Sequence, residues 1–183
     1  FWAGLVSEQV AWLRDRAGVQ VVTVAPAMAK SRVVHVFDPS ATTWNGEPAY
    51  WNYVNQEVVN QMVERGVMTC TGKPSVADAW KAILPRYQAG QGIAIKVNCT
   101  NEGNGRLDAS IQTLNAILRG LRAIGVRAED VWVYDTRAMP DRYINGCQFP
   151  GVKFFDNGFH APTPFDSTDP SAIIPFSTPP SGI

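Results

Sequence analysis

The sequence predicts an α/β fold: an open, mainly parallel sheet with flanking helices, Rossmann-like in arrangement, followed by an extended Pro-rich C-terminal arm. Three observations predict it. Short apolar runs alternate with segments of helical periodicity, as they do where crossover helices join parallel strands. Within that pattern Ile93–Val97 (IAIKV), a helical segment and Val131–Tyr134 (VWVY) form one strand–helix–strand unit, with lengths that suit a right-handed crossover. Finally, the composition changes at Gly158. Beyond it lie six of the 13 prolines, at 162, 164, 170, 175, 179 and 180, with no periodicity.

Taken in order, a first helix is expected near Ala3–Ala17, with Trp2, Val6, Val10 and Leu13 on one side and Gly18 as its stop. Val19–Ala29 is apolar, follows Arg14 and Arg16 and ends in small residues like a secretory leader, but is read as an extended arm. Arg32–Phe37 (RVVHVF) is a strand closed by Asp38-Pro39-Ser40, and the loop Ala41–Tyr50 leads to a helix near Asn52–Arg65. Val54, Val58, Val59, Met62 and Val63 give that helix its face, and Gly66 is its expected left-handed end. Ser75 caps the next helix, with Asp78 as its capping-box partner and Val76, Ala79, Trp80, Ile83 and Leu84 facing inward before Pro85. After Ile93–Val97 and the polar loop Asn98–Arg106, Asp108 is expected to cap a helix. Its face is Ile111, Leu114, Ile117, Leu118, Leu121 and Ile124, and Gly125 ends it. Val152–Phe155 adds a further strand. Residues 1–31 thus read as a leading helix and arm, 32–157 as the α/β domain and 158–183 as the second arm. The arm holds Phe159, Phe165 and Phe176, which suit packing on the rest of the protein or on a neighbour, and a second half is expected to follow.

Composition narrows the function classes. With 45% hydrophobic and 17% charged residues the chain is of the globular kind, and its 183 residues can bury roughly 70% of their unfolded surface. Lys+Arg and Asp+Glu both number 16, so no broad field steers the chain to nucleic acid, and none is expected as a partner. No apolar run reaches the roughly 20 residues of a spanning helix. Cys70, Cys99 and Cys147 lack C-x-x-C spacing and cannot build a four-cysteine zinc or iron–sulfur site; they are read as free thiols, with pairing of any two left open for an exported protein. His35 lies inside a strand and His160 in the arm, so a His-based metal site is not expected.

Ligands of open parallel sheets bind beyond the carboxyl ends of the strands. Three strands end in polar clusters: Asp38 and Ser40; Asn98, Thr100 and Asn101; and Asp135, Thr136 and Arg137. If those strands are parallel neighbours, the clusters share one rim suited to an anionic or hydroxylated small molecule. The alternative is that Asp and Asn simply form turns and caps there. Lys96 interrupts an apolar strand, and a lysine there needs a partner or a route to water. The candidate ligand-binding residues are therefore Asp38, Lys96, Asn98, Asp135, Thr136 and Arg137. Gly103-Asn-Gly105 lacks the third glycine of a dinucleotide loop, Gly72-Lys73-Pro74-Ser75 lacks the spacing of a phosphate loop, and no G-x-S-x-G elbow is present. Asn98-Cys99-Thr100 fits a glycosylation acceptor.

The stretch Tyr87–Asn98, where glycines lead into Ile-Ala-Ile-Lys-Val-Asn, resembles the G-x-x-V-A-I-K-x-N signature of the domain of unknown function family 362. Asp38-Pro39-Ser40-Ala41, the Val54–Gly66 helix and Val133-Tyr134-Asp135-Thr136-Arg137 resemble its exported bacterial members in the same order, over roughly Arg32–Phe155. The resemblance implies an extracytoplasmic setting and a longer protein whose second half carries a K-x-H…K-N-H region, unmatched here, so a site spanning both halves is only part-present. Asp135–Pro140 faintly resembles the D-x-T-R-P motif of the lactate racemase family, but the proline comes late and no nickel cofactor follows. No reaction or cofactor is legible. The two expected roles are half of a small-molecule site in an exported protein, and a structural or assembly subunit docking through its arm. Its partner is then the remainder of its own chain or a second subunit, a homo-oligomer included.

Overall fold

A computed structural model describes residues 18–23, 32–99, 109–135 and 137–156. The expected first helix and the Gly158–Ile183 arm lie outside them. Two sheets are formed among the described residues. Strands β1 (Gly18–Thr23) and β2 (Arg32–Phe37) make an antiparallel pair, with Gly18 opposite Phe37 and Thr23 opposite Arg32. Strands β3 (Ile93–Lys96), β4 (Val131–Tyr134) and β5 (Lys153–Phe155) make a parallel sheet in that order.

This corrects the placing of Arg32–Phe37 beside the parallel strands. Its ladder is taken up by Gly18–Thr23, a segment expected to be arm, whose valines have high β propensity. The domain boundary drawn at residue 31 therefore passes through a hairpin. No residue of β2 is fully buried, unlike a central parallel strand.

Helix α1 (Gln56–Thr71) starts later and runs further than expected. Asn55 caps it by accepting the N–H groups of Glu57 and Val58, and Gly72, at φ +69°, ends it. Gly66 is interior to the helix and lies beside β2, where a Cβ on it would meet Val36 Cγ2 in ordinary contact at 3.5 Å. Arg32 fastens the hairpin to the helix end by donating to Thr69 O at 3.0 Å.

Ser75 then caps helix α2 (Val76–Ile83), accepting from Asp78 N–H as expected, while the Asp78 carboxylate accepts the Ser75 hydroxyl at 2.6 Å and not the backbone N–H of a full capping box. Gly72–Ser75 is thus a helix end followed by a helix start. Trp80 and Ala79 are buried, whereas Ile83, expected inward, is 43% exposed.

Helix α3 (Ile111–Ala123) joins β3 to β4 and buries Ile111, Leu114, Leu118 and Leu121 on the sheet. Its cap is Ser110, which accepts from Thr113 N–H, and not Asp108; both are good caps, and the one adjoining the first helical residue prevails. A short helix α4 (Asp141–Gly146), unforeseen from sequence, joins β4 to β5 and buries Tyr143 completely. Val131, Val133, Val97 and Met139 complete a core to which Val63 and Val67 of α1 and Val76 and Trp80 of α2 add. At roughly 25 cal/mol per Å2, each fully buried Leu or Val contributes about 1.5–3 kcal/mol.

Polar groups also cross the core. Asn115, only 3% exposed, donates from Nδ2 to Gln56 Oε1 and to Gly146 O and accepts from Gln148 N–H, all at 3.0 Å. One amide thereby fixes α3 against α1 and α4.

Candidate functional site

The carboxyl ends of β3, β4 and β5 converge on one rim. Backbone bonds carry the sheet past the strand ends: Val97 N–H donates to Tyr134 O at 3.0 Å and Asp135 N–H to Phe155 O at 3.1 Å. Ala109 N–H donates to Asn98 O at 2.8 Å, bringing the start of α3 to the exit of β3. The Tyr143 hydroxyl donates to Ala109 O, so α4 closes on the same place.

Asp135 is the centre of this rim. It is 2% exposed, and its carboxylate accepts Cys99 N–H at 2.6 Å, Lys96 Nζ at 2.8 Å and Arg137 N–H at 3.4 Å. Burial pushes its carboxyl up, but the bonds from Lys96, Cys99 and Arg137, with the Lys96 charge, outweigh that and hold it below the usual carboxylate range. Lys96 closes β3 on the sheet face away from the core and stays 46% exposed at its side chain. Its ammonium also donates to Val97 O. An ammonium has three protons, so one remains for solvent or a ligand.

Of the sequence candidates, Lys96, Asn98, Asp135 and Arg137 come together here. Asn98 and Arg137 are exposed, and Thr136 lies outside the described residues. Asp38 is not on this rim's strands: it follows β2 of the other sheet, and its carboxylate accepts Ser40 N–H at 2.9 Å to cap the 3₁₀ turn Pro39–Ala41. For Asp38 the turn-former reading describes its observed bond.

Asp156 was missed. It follows β5 as Asp135 follows β4, is fully buried, and accepts Met139 N–H at 2.8 Å. An apolar strand ending in Asp was the signal that would have found it. Trp51 was missed as well. Gln112, in the first turn of α3, donates to Trp51 O at 2.9 Å, and the Arg142 guanidinium lies 4.1 Å from the Trp51 ring. Nothing in the local pattern announces that pairing.

A cleft of ≈ 390 Å3 lies at the opposite end of the sheet, lined by Leu118, Leu121, Val126, Val131, Phe149 and Val152. Arg122, Arg127, Glu129 and Gln148 line it as well, and it meets the strand beginnings, away from the carboxyl ends where parallel sheets bind ligands. Among the described residues no group of three or more His, Cys, Asp or Glu could hold a metal ion. All three cysteines are free thiols, Cys70 exposed and Cys99 buried, and burial pushes the Cys147 thiol up.

The fold and the rim together define an α/β protein with a small parallel sheet whose polar groups gather at the strand carboxyl ends. No protein-family model, curated protein or solved structure matches the chain. No described helix is long and apolar enough to cross a membrane.

Proposed function

We propose that the chain binds a small anionic or hydroxylated ligand at the carboxyl ends of β3 and β4. Lys96 and Arg137 supply the cationic contacts, and Asn98 and Thr136 the neutral ones. What carries the reading is the Lys96–Asp135 pair: a buried carboxylate, held ionised by backbone N–H groups, fixes a half-exposed ammonium at the place where parallel sheets bind ligands. Asp135 acts by holding Lys96 and the β3 exit, since its own oxygens are turned inward. The resemblance to exported members of family 362 supports an extracytoplasmic setting, with further binding groups contributed by the remainder of a longer chain or by a second subunit.

A thermal-shift panel of nucleotides, sugar phosphates and dicarboxylates tests this. At least one compound should raise the Tm of the wild-type chain, and Lys96→Ala with Arg137→Ala should abolish that rise. A rise that survives in the double variant contradicts the site. The second reading, a structural subunit docking through its C-terminal arm, draws support from a sheet face that no described element covers.

A further inference from the structure

The cleft of ≈ 390 Å3 at the strand beginnings has a chemistry separate from that of the strand-end rim. Two chain reversals border it. Gly125, at φ +87°, turns the chain out of α3 toward β4, and Gly151, at φ +103°, turns it into β5. Both conformations belong to the left-handed region that glycine enters without strain. Between these walls the floor is core. Leu118 and Leu121 of α3, with Val126 and Val131, are buried and yet line the hollow. Phe149 and Val152, partly buried, stand on the β5 side. Hollows of roughly 300–1,000 Å3 that combine an apolar lining with a few polar groups are the usual form of a small-molecule site.

The polar groups of the lining narrow the ligand. Arg127 is already matched: its Nε and Nη2 donate to the two Asp130 carboxylate oxygens at 2.8 and 2.9 Å. Two further charges of opposite sign line the cleft, Arg122 in the last turn of α3 and Glu129 in the 3₁₀ turn Ala128–Asp130 before β4. Both are exposed. Glu129 reaches the second wall, since a Cβ on Gly151 would stand 3.2 Å from its Oε1.

We propose that this cleft binds a free α-amino acid with a large apolar side chain. The ligand's side chain lies on Leu118, Leu121 and Phe149. The Arg122 guanidinium donates to its carboxylate, and the Glu129 carboxylate accepts from its ammonium. A guanidinium offers paired N–H donors that match a carboxylate. Arg122 and Glu129 together carry no net charge, so charge complementarity favours a zwitterion over a simple acid or a simple amine. An ion such as pyrophosphate has no apolar part to cover the floor. The site thus stands or falls independently of the strand-end site.

The test is an NMR titration of the full chain, followed by backbone amide shifts, with L-phenylalanine, phenylpropanoate and phenylethylamine. L-Phenylalanine should shift amides within residues 118–131 and 148–152 in a saturating way. Phenylpropanoate lacks the ammonium and phenylethylamine the carboxylate. Each should bind about tenfold more weakly, the loss of one charged hydrogen bond. Arg122→Gln should weaken L-phenylalanine about tenfold and leave phenylethylamine unchanged. Glu129→Gln should weaken L-phenylalanine and leave phenylpropanoate unchanged. Both side chains are exposed, so both variants should keep the wild-type spectrum away from the cleft. Three results would each overturn the proposal: no saturating shifts at the cleft, three probes that bind equally, or wild-type affinity for L-phenylalanine in Arg122→Gln.

Discussion

The Asp135 carboxylate accepts the backbone N–H of Cys99, 36 residues earlier in the chain, at 2.6 Å. Asp156 does the same for Met139 at 2.8 Å. In each case a carboxylate just past one strand fastens the loop that leaves the strand before it. The rim is therefore built from chained ties, and its one half-exposed ammonium, Lys96, is held by the first of them.

Removing the Asp135 carboxylate should be costly, because Asp135→Ala leaves Cys99 N–H without its acceptor and Lys96 without its counter-ion. A loss of about 3 kcal/mol is expected from an unsatisfied buried donor and a broken charge-assisted bond. Urea unfolding checks it. A loss no larger than that of an exposed Asp78→Ala control would contradict the assigned role.

The acid limb of stability should report the same group. Asp135 has a folded pKa below its unfolded value, so the fold favours its charged form. That stabilisation is fully present above the ordinary carboxylate pKa of about 3.9, and it is lost as pH falls through the folded value. Between pH 7 and the acid side of that range, Asp135→Asn should lose less stability than the wild-type chain does. Parallel curves in urea titrations at several pH values would refute it.

At Gly120 of α3 the Trp80 ring of α2 lies directly against the backbone. A Cβ there would stand 1.9 Å from Trp80 Nε1, and among the described residues that nitrogen has no hydrogen-bond acceptor. Gly120→Ala should destabilise by about 1–3 kcal/mol through overpacking. Adding Trp80→Leu should make the second change cheaper in the Ala background than in wild type, a coupling that a double-mutant cycle measures directly.

Much of this was legible in sequence. Ile93–Val97, Val131–Tyr134 and Val152–Phe155 announced the parallel strands, and Ser75 with Asp78 announced a helix start, because these signals are local. Lys96 was found as the interruption of an apolar run and Asp135 in the polar cluster that ends one. Which strands become partners is a long-range outcome, and that is why Asp38 was placed on the wrong sheet. Gly66 looked like a helix end because glycine commonly marks a left-handed turn, but that turn falls six residues later at Gly72. The Asn115 and Trp51 contacts bring together residues remote in the chain and leave no periodic trace.

Asn115 offers a test of the core's polar tie. Asn115→Ala strands Gly146 O, Gln148 N–H and Gln56 Oε1 together, so a loss of roughly 1–3 kcal/mol is expected from several part-buried groups deprived of one partner. Amide exchange at Gln148 should accelerate in the same variant. An exchange rate unchanged from wild type would show that the bond does not protect it.

The most direct test of the strand-end site is an NMR titration of the full chain with inorganic pyrophosphate, followed by backbone amide shifts. Shifts concentrated at Lys96–Cys99, Asp135 and Arg137, and lost in Lys96→Ala with Arg137→Ala, are the predicted result. Shifts gathered instead around Arg122–Val131 and Phe149–Val152, at the cleft on the opposite end of the sheet, would contradict the account.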